Sequence, residues 1–426
     1  MVATGSASLT GRRLYLPRMT DCGAEALAAA LRSVGVDAQA LPTPDVRSLE
    51  LGSRHLTGEE CLPAKLTLGD FLKVAEAPGF DPGRSAFMMP TTEGPCRFGQ
   101  YAPIIRKVFR GLGYPEVLLV SPTSGDGYQQ ADGAGTSLTR TVWRALVAAD
   151  ILRKLLLRMR PYESTPGDAD AAYAVCLREL CAELERRGRR PAEQLAGLVA
   201  VLIAIRDRFR RLPARYERGR LLIGILGEIF CRMEEFSNDQ LIRRLEACGG
   251  EAWISDISEW VWFCNDEQER CLRRDGRRLS LAMLGAKVRD HVQHGDERAL
   301  RAPFAEDFQG YEEAEDIAQV LRAGDPYLPQ TGASGEMVIS AGKVDYLFRQ
   351  GVDGIIDISP FSCMNGIVSE ALYPRQSQDH AGIPIKNFYV DGKGNDITSD
   401  LEVFLELARG YQERKPHPRR YPPCFG

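Results

Sequence analysis

No C-x-x-C pair occurs anywhere in the 426 residues, and histidine is scarce, five in all. Small zinc modules rest on those residues at short spacing, so a structural zinc site fits this chain poorly. No apolar run approaches the roughly 20 residues that span a bilayer; the longest is Leu195 to Ile205. Met1 to Ser8 lacks the basic-then-apolar layout of a secretory signal, and the expected setting is the cytoplasm. A basic excess is missing too. Lys and Arg number 54 against 58 Asp and Glu, a formal net charge of −4, so neither nucleic acid nor a membrane surface is expected as a partner. There is no Gly-Lys-Ser/Thr phosphate loop and no clean G-x-G-x-x-G. Gly125-x-Gly127 and Gly133-x-Gly135 fall in the Gly-rich stretch Ser121 to Ser137, which reads as a loop.

What is present describes a globular chain of two or three domains, 44% hydrophobic and 26% charged. From Arg12 to Pro122 short apolar runs alternate with amphipathic ones: LYLPRM, AEALAAALRSVG, VDAQALP, LTLGDFLKVAEA, SAFMMP, IIRKVFRGLG, EVLLVSP. Strands interleaved with helices that close on Gly35 and Gly113 predict βαβ units around a parallel sheet. The rhythm stops for three helical stretches between Leu138 and about Leu212, the second opening at Thr165-Pro166 with Asp168 behind it. It resumes at Arg220 with RLLIGILGEIF, then EAWISDI, GIIDISPF and IPIKNFYVDG. The expected organisation is an α/β domain over 10–135, a helical insert over 138–212, a second α/β domain over 218–410 and an Arg/Pro-rich tail over 411–426, ordered only where it docks.

Eleven cysteines are an odd number, and in a reducing compartment they read as buried thiols, ligands or nucleophiles before disulfides. Position sorts them. Cys61, in GEECLP, precedes a helix; Cys96, in EGPCRFG, follows the strand ending at Pro90; Cys363, in SPFSCMNG, follows GIIDI. All three fall beyond the carboxyl ends of strands or at helix N-termini, where open α/β sheets build their sites. Cys176, Cys181, Cys231 and Cys248 lie in apolar-periodic segments and read as core thiols. Cys264 and Cys271 share a helical face, but seven residues rise about 10.5 Å, too far for one metal ion. Cys22 opens the first helix and is ambiguous; Cys424 is a tail thiol. With no adjoining histidine, the three loop thiols suit an iron-sulfur cluster with one open iron, or they are three unrelated buried thiols.

The stretches LGSRHLTGEECLPAKLTLGDFL, MMPTTEGPCRFGQYAPI, GILGEIFCRMEEFSNDQLIRRLEACGGE and GVDGIIDISPFSCMNGIVSEAL cover both α/β domains. Together they resemble the superfamily of 2-hydroxyacyl-CoA dehydratases, benzoyl-CoA reductases and double-cubane cluster proteins, and most closely the related region of the CoA-substrate-specific enzyme activases. GPCRFGQY is the most specific of them. The resemblance implies two flavodoxin-like (Rossmann-like) domains and a 4Fe-4S cluster held by Cys61, Cys96 and Cys363. It also implies an ATP-hydrolysing iron-sulfur activator as partner, low-potential electrons, an acyl-CoA or other small substrate, and anaerobic chemistry. Double-cubane members hold two linked cubanes, which needs further thiolates; Cys22 is the first extra ligand implied, with Cys264 and Cys271 behind it. The function expected is an iron-sulfur reductase or dehydratase component, homo- or hetero-oligomeric, lacking an activator ATPase motif of its own. The alternative is a non-catalytic electron-transfer subunit.

Around the three thiols, Glu59, Glu60, Glu93, Arg97 and Tyr101 read either as groups that move protons and offset cluster charge or as loop caps and surface charges. His291 and His294 share a helical face but read as a solvated helix end. The basic stretches Arg206 to Arg220 and Glu185 to Arg190 read as solvated faces, or as a docking surface for an acidic partner.

Overall fold

Two four-stranded sheets, every strand pair parallel, organise the chain. The structure is a computed structural model that describes residues 9–92, 94, 96–123, 136–394 and 397–426. The first sheet contains β1 (Arg13–Leu16), β2 (Ala38–Ala40), β3 (Ser85–Met88) and β4 (Leu118–Val120) in the order β2-β1-β3-β4. The second contains β5 (Leu221–Gly227), β6 (Gly250–Ile254), β7 (Gly354–Pro360) and β8 (Ile385–Val390) in the order β6-β5-β7-β8. Leu14 is opposite Ala38 on one side and Ala86 on the other. In the second sheet Ile225 is opposite Ile254 and Ile356. This is the expected α/β fold with two flavodoxin-like parallel-sheet domains. Parallel strands need helical crossovers that cover both faces, which is why β5, β6 and β7 are buried along their whole length.

Each sheet reverses direction at one place, between β1 and β3 and between β5 and β7. Open α/β sheets carry their sites in the crevice that such a reversal opens beyond the carboxyl ends of the strands. At the end of β5 the backbone turns tightly against β7. A Cβ on Gly227, whose φ is +104°, would lie 2.1 Å from the carbonyl oxygen of Ile358, so only glycine fits. The strand therefore stops at Gly227, short of the full run RLLIGILGEIF. Glu228 then caps a short helix, Ile229–Met233, its carboxylate accepting from the N–H groups of Phe230 and Cys231.

The chain divides into two compact units. One comprises Met1–Asp150, Cys176–Leu202 and Cys264–Leu300; the other comprises Ile151–Val175, Ile203–Phe263 and Arg301–Gly426. The three helices between the sheets, Thr136–Met159, Asp168–Leu184 and Pro191–Arg210, are thus shared between the units. The tail is held by Arg419, buried against Glu251, and by Phe425 packed on Tyr162 and Tyr216.

In the first unit the helices Val46–Arg54 and Leu62–Ala75 touch backbone to backbone. A Cβ on Gly69 would stand 1.7 Å from the carbonyl oxygen of Ser48. Gly69→Ala is expected to force these helices apart at a cost of about 1–3 kcal/mol, seen as a lower urea midpoint. Gly83→Ala, where the nearest atom is a side-chain oxygen 3.2 Å away, should change it little.

Candidate functional site

Cys61 is the N-cap of the helix Leu62–Ala75, with Pro63 in its first turn. The preceding turn is clasped by Glu60, whose carboxylate accepts from the N–H groups of Thr57 (3.0 Å) and Gly58 (3.2 Å). Cys96 is likewise the N-cap of the short helix Arg97–Gln100, which runs into Tyr101–Gly111. Two contacts tie these loops together. The Arg97 guanidinium donates to the carbonyl of Glu59, and the Tyr101 hydroxyl lies 2.6 Å from the Cys61 sulfur. Phe98 packs edge-on against Tyr101 with ring centroids 5.3 Å apart. The structure thus brings the loops of Cys61 and Cys96 together in the first unit. Glu60 serves as a turn clasp and Arg97 as a brace, and Glu93 lies outside the described residues, as do Gly125, Gly127, Gly133 and Gly135.

Cys363 belongs to the second unit and is the N-cap of Met364–Asp379, immediately after β7. The turn that delivers it is tight: Ser362 has φ +63°, and the N–H of Cys363 donates back to the carbonyl of Pro360 at 3.0 Å. Gly366 is held so close to Ser359 that a Cβ would lie 2.6 Å from its Oγ. Burial pushes the Cys363 thiol up to about 12, with Glu228 and Glu336 adding to the rise, while the N–H groups of Asn365 and Gly366 oppose it. A coordinating metal reverses that balance, because its charge deprotonates the thiol outright.

Sequence reasoning missed three carboxyls near the end of β7, Glu336 and Asp357 buried and Glu228 half-buried, of which Glu228 and Glu336 act on Cys363. Glu336 opens the helix Glu336–Arg349 and accepts from the N–H of Ile229 at 2.6 Å. Burial and the neighbouring Glu228 raise it to about 8, against the opposing charge of Arg232. Burial also raises Glu228 and lifts Asp357 to about 6, although the hydroxyls of Tyr373 (2.5 Å) and Ser359 (3.1 Å) both donate to Asp357. The readable signal was Asp357 itself, one acid inside the apolar run GIIDI.

Of the remaining cysteines, Cys231 is hydrogen-bonded through its thiol to Glu228, the carboxyl that also acts on Cys363. Cys22 is buried in the helix Asp21–Ser33, its sulfur 3.5 Å from the carbonyl oxygen of Ala149. Cys176 and Cys231 are fully buried. Cys264 is buried, and Cys271 is half-buried with its sulfur 3.7 Å from Glu267 on the same helix. None of the eleven forms a disulfide. His294 faces Asp290 at 3.6 Å. Within the basic stretch, Arg210 is paired with Asp307 at 2.8 Å and Arg206 donates to the carbonyl of Pro303 at 2.9 Å. Among the described residues, no three His, Cys, Asp or Glu side chains are grouped to hold a metal ion, and no helix is long and apolar enough to cross a membrane.

The three loop cysteines share a local setting, Cys61 and Cys96 within the first unit and Cys363 within the second. Cys61, Cys96 and Cys363 all occupy N-cap positions in extended backbone; Cys61 and Cys96 make no side-chain cap, whereas the Cys363 sulfur is approached by the N–H groups of Asn365 and Gly366. A helix N-terminus offers N–H groups and a positive dipole end, which favour a thiolate. The two halves also correspond. Cys96 follows β3 and Cys363 follows β7, each the strand next to the reversal in its own sheet. No protein-family model matches the chain, and no curated protein matches it.

Proposed function

We propose that the protein is an iron-sulfur reductase or dehydratase component whose 4Fe-4S cluster is held by Cys61, Cys96 and Cys363. The observation that carries this reading is the repeated placement of a cysteine at a helix N-terminus after the equivalent strand of each sheet. The resemblance of the surrounding motifs supplies the rest: low-potential electrons from an ATP-hydrolysing activator, and an acyl-CoA or other small substrate. A cluster with three cysteine ligands supplies an iron with an open position and one-electron chemistry. The chain's own residues hold the first two loops in register through Arg97 and Tyr101. Beside Cys363, the carboxyl of Glu336, raised to about 8 by burial and by Glu228, keeps its proton at pH 7.

The test mixes the anaerobically isolated protein with an activator of this superfamily, ATP and a reductant, and follows the visible charge-transfer band. Bleaching that needs both activator and ATP is expected. Bleaching that proceeds equally without either one would remove the activator from the proposal. A reduced spectrum that responds to acyl-CoA thioesters supports the enzyme reading; indifference to every acyl-CoA and other small substrate tried would leave an electron carrier.

A further inference from the structure

Among the exposed apolar surfaces of the described residues, two carry opposite charge. The first is the tip of the helical hairpin formed by Ile257–Arg274 and Leu281–Arg301. Leu279 is 102% exposed and Leu281 87%, followed by Leu284 at 60% and Val288 at 56%. Leu281, Leu284 and Val288 follow helical spacing and so line one face, while Met283 and Ala286 are buried on the other. Between Arg273 and Val288 five basic residues stand against a single acid, Asp275, and Arg277 and Arg278 flank the apolar row, both exposed.

The second surface is a groove of about 370 Å³ between Cys248 and the helix Thr398–Gln412, lined by Glu402, Val403, Leu405, Glu406 and Arg409. Val403 is 63% exposed and Leu407, one turn on, 62%. Here two carboxylates stand against one guanidinium. A basic apolar ridge and an acidic apolar groove on the same polypeptide are complementary in polarity and charge. Pairing tip with tip would set Arg277 and Arg278 against themselves, and pairing groove with groove would do the same to Glu402 and Glu406.

We propose that the chain self-associates, the hairpin tip of one copy seated in the Cys248–Glu402–Val403 groove of a second copy. The surfaces differ, so the contact is heterologous: each copy offers one tip and one groove, and the assembly closes as a ring or extends as a chain. This is independent of the cluster reading. The test is sedimentation velocity on the full chain, isolated anaerobically, over a range of concentrations at low and high salt. The weight-average mass is expected to rise with concentration at low salt and to fall as salt is added.

The double variants Arg277→Glu/Arg278→Glu and Glu402→Lys/Glu406→Lys should each weaken self-association about tenfold or more, and mixing the two should restore it. Leu281→Ser, at a fully exposed position, should weaken it without changing the unfolding midpoint. A chain that stays monomeric at all concentrations, or association indifferent to both charge reversals, would overturn the proposal. So would a tip that binds 3:1 phosphatidylcholine/phosphatidylglycerol vesicles while the chain remains monomeric.

Discussion

Cys96→Ser is expected to remove most of the iron from the anaerobically isolated protein, and Cys61→Ser and Cys363→Ser are expected to do the same. A serine hydroxyl is a poor ligand for cluster iron at neutral pH, whereas a thiolate at a helix N-terminus is a good one. In each variant the helix itself should survive, because all three cysteines are N-cap residues and serine is favoured at that position. Loss of iron without loss of helix content is therefore the signature sought, read by metal analysis beside far-ultraviolet circular dichroism. Cys176→Ser and Cys248→Ser serve as controls. Cys176 is fully buried and Cys248 lies in the groove beside Glu402, so both should keep their iron. Full iron retention in all three loop variants would end the ligand assignment.

The largest effect on stability is expected from Arg419→Met. The Arg419 guanidinium is paired with Glu251, their side chains 2% and 0% exposed, and it packs over the rings of Tyr311 and Tyr421. Tyr162 and Tyr311 also donate to Glu251. Removing the guanidinium takes away the ion pair of a buried carboxylate and leaves it two hydroxyl donors and the charge of nearby Arg158, which costs about 3 kcal/mol. Arg420, one residue on, makes a half-exposed pair with Glu312 at 3.0 Å, and Arg420→Met should cost under about 1 kcal/mol. Urea unfolding of the two variants measures both. Equal effects would mean that the tail does not hold the second unit as described.

Much of this architecture was legible in the order of residues because parallel strands buried on both faces are near-continuous apolar runs. LLIGILG, EAWI and GIIDI announced themselves in that way. The end of β5 was less legible. GILGEIF continues the apolar run past Gly227, and only the close approach to Ile358 shows why the strand must stop there. The cysteine positions were visible from their loops. Their equivalence between the two halves was not, since Cys363 comes directly after β7 whereas a longer loop separates Cys96 from β3. Glu228 and Glu336 were hidden for another reason. Their sequence surroundings are those of ordinary helix starts, and what raises them is burial, with Glu228 adding to the rise of Glu336, in a packing of segments far apart in the chain.

The central claim is most directly tested by the iron and acid-labile sulfide content of the chain isolated without exposure to oxygen. About four of each per chain are expected, with a broad visible absorption that a chelator or air removes. A protein isolated in the same way that contains neither iron nor sulfide, and takes up neither when incubated with ferrous iron, sulfide and a thiol reductant, would contradict the account.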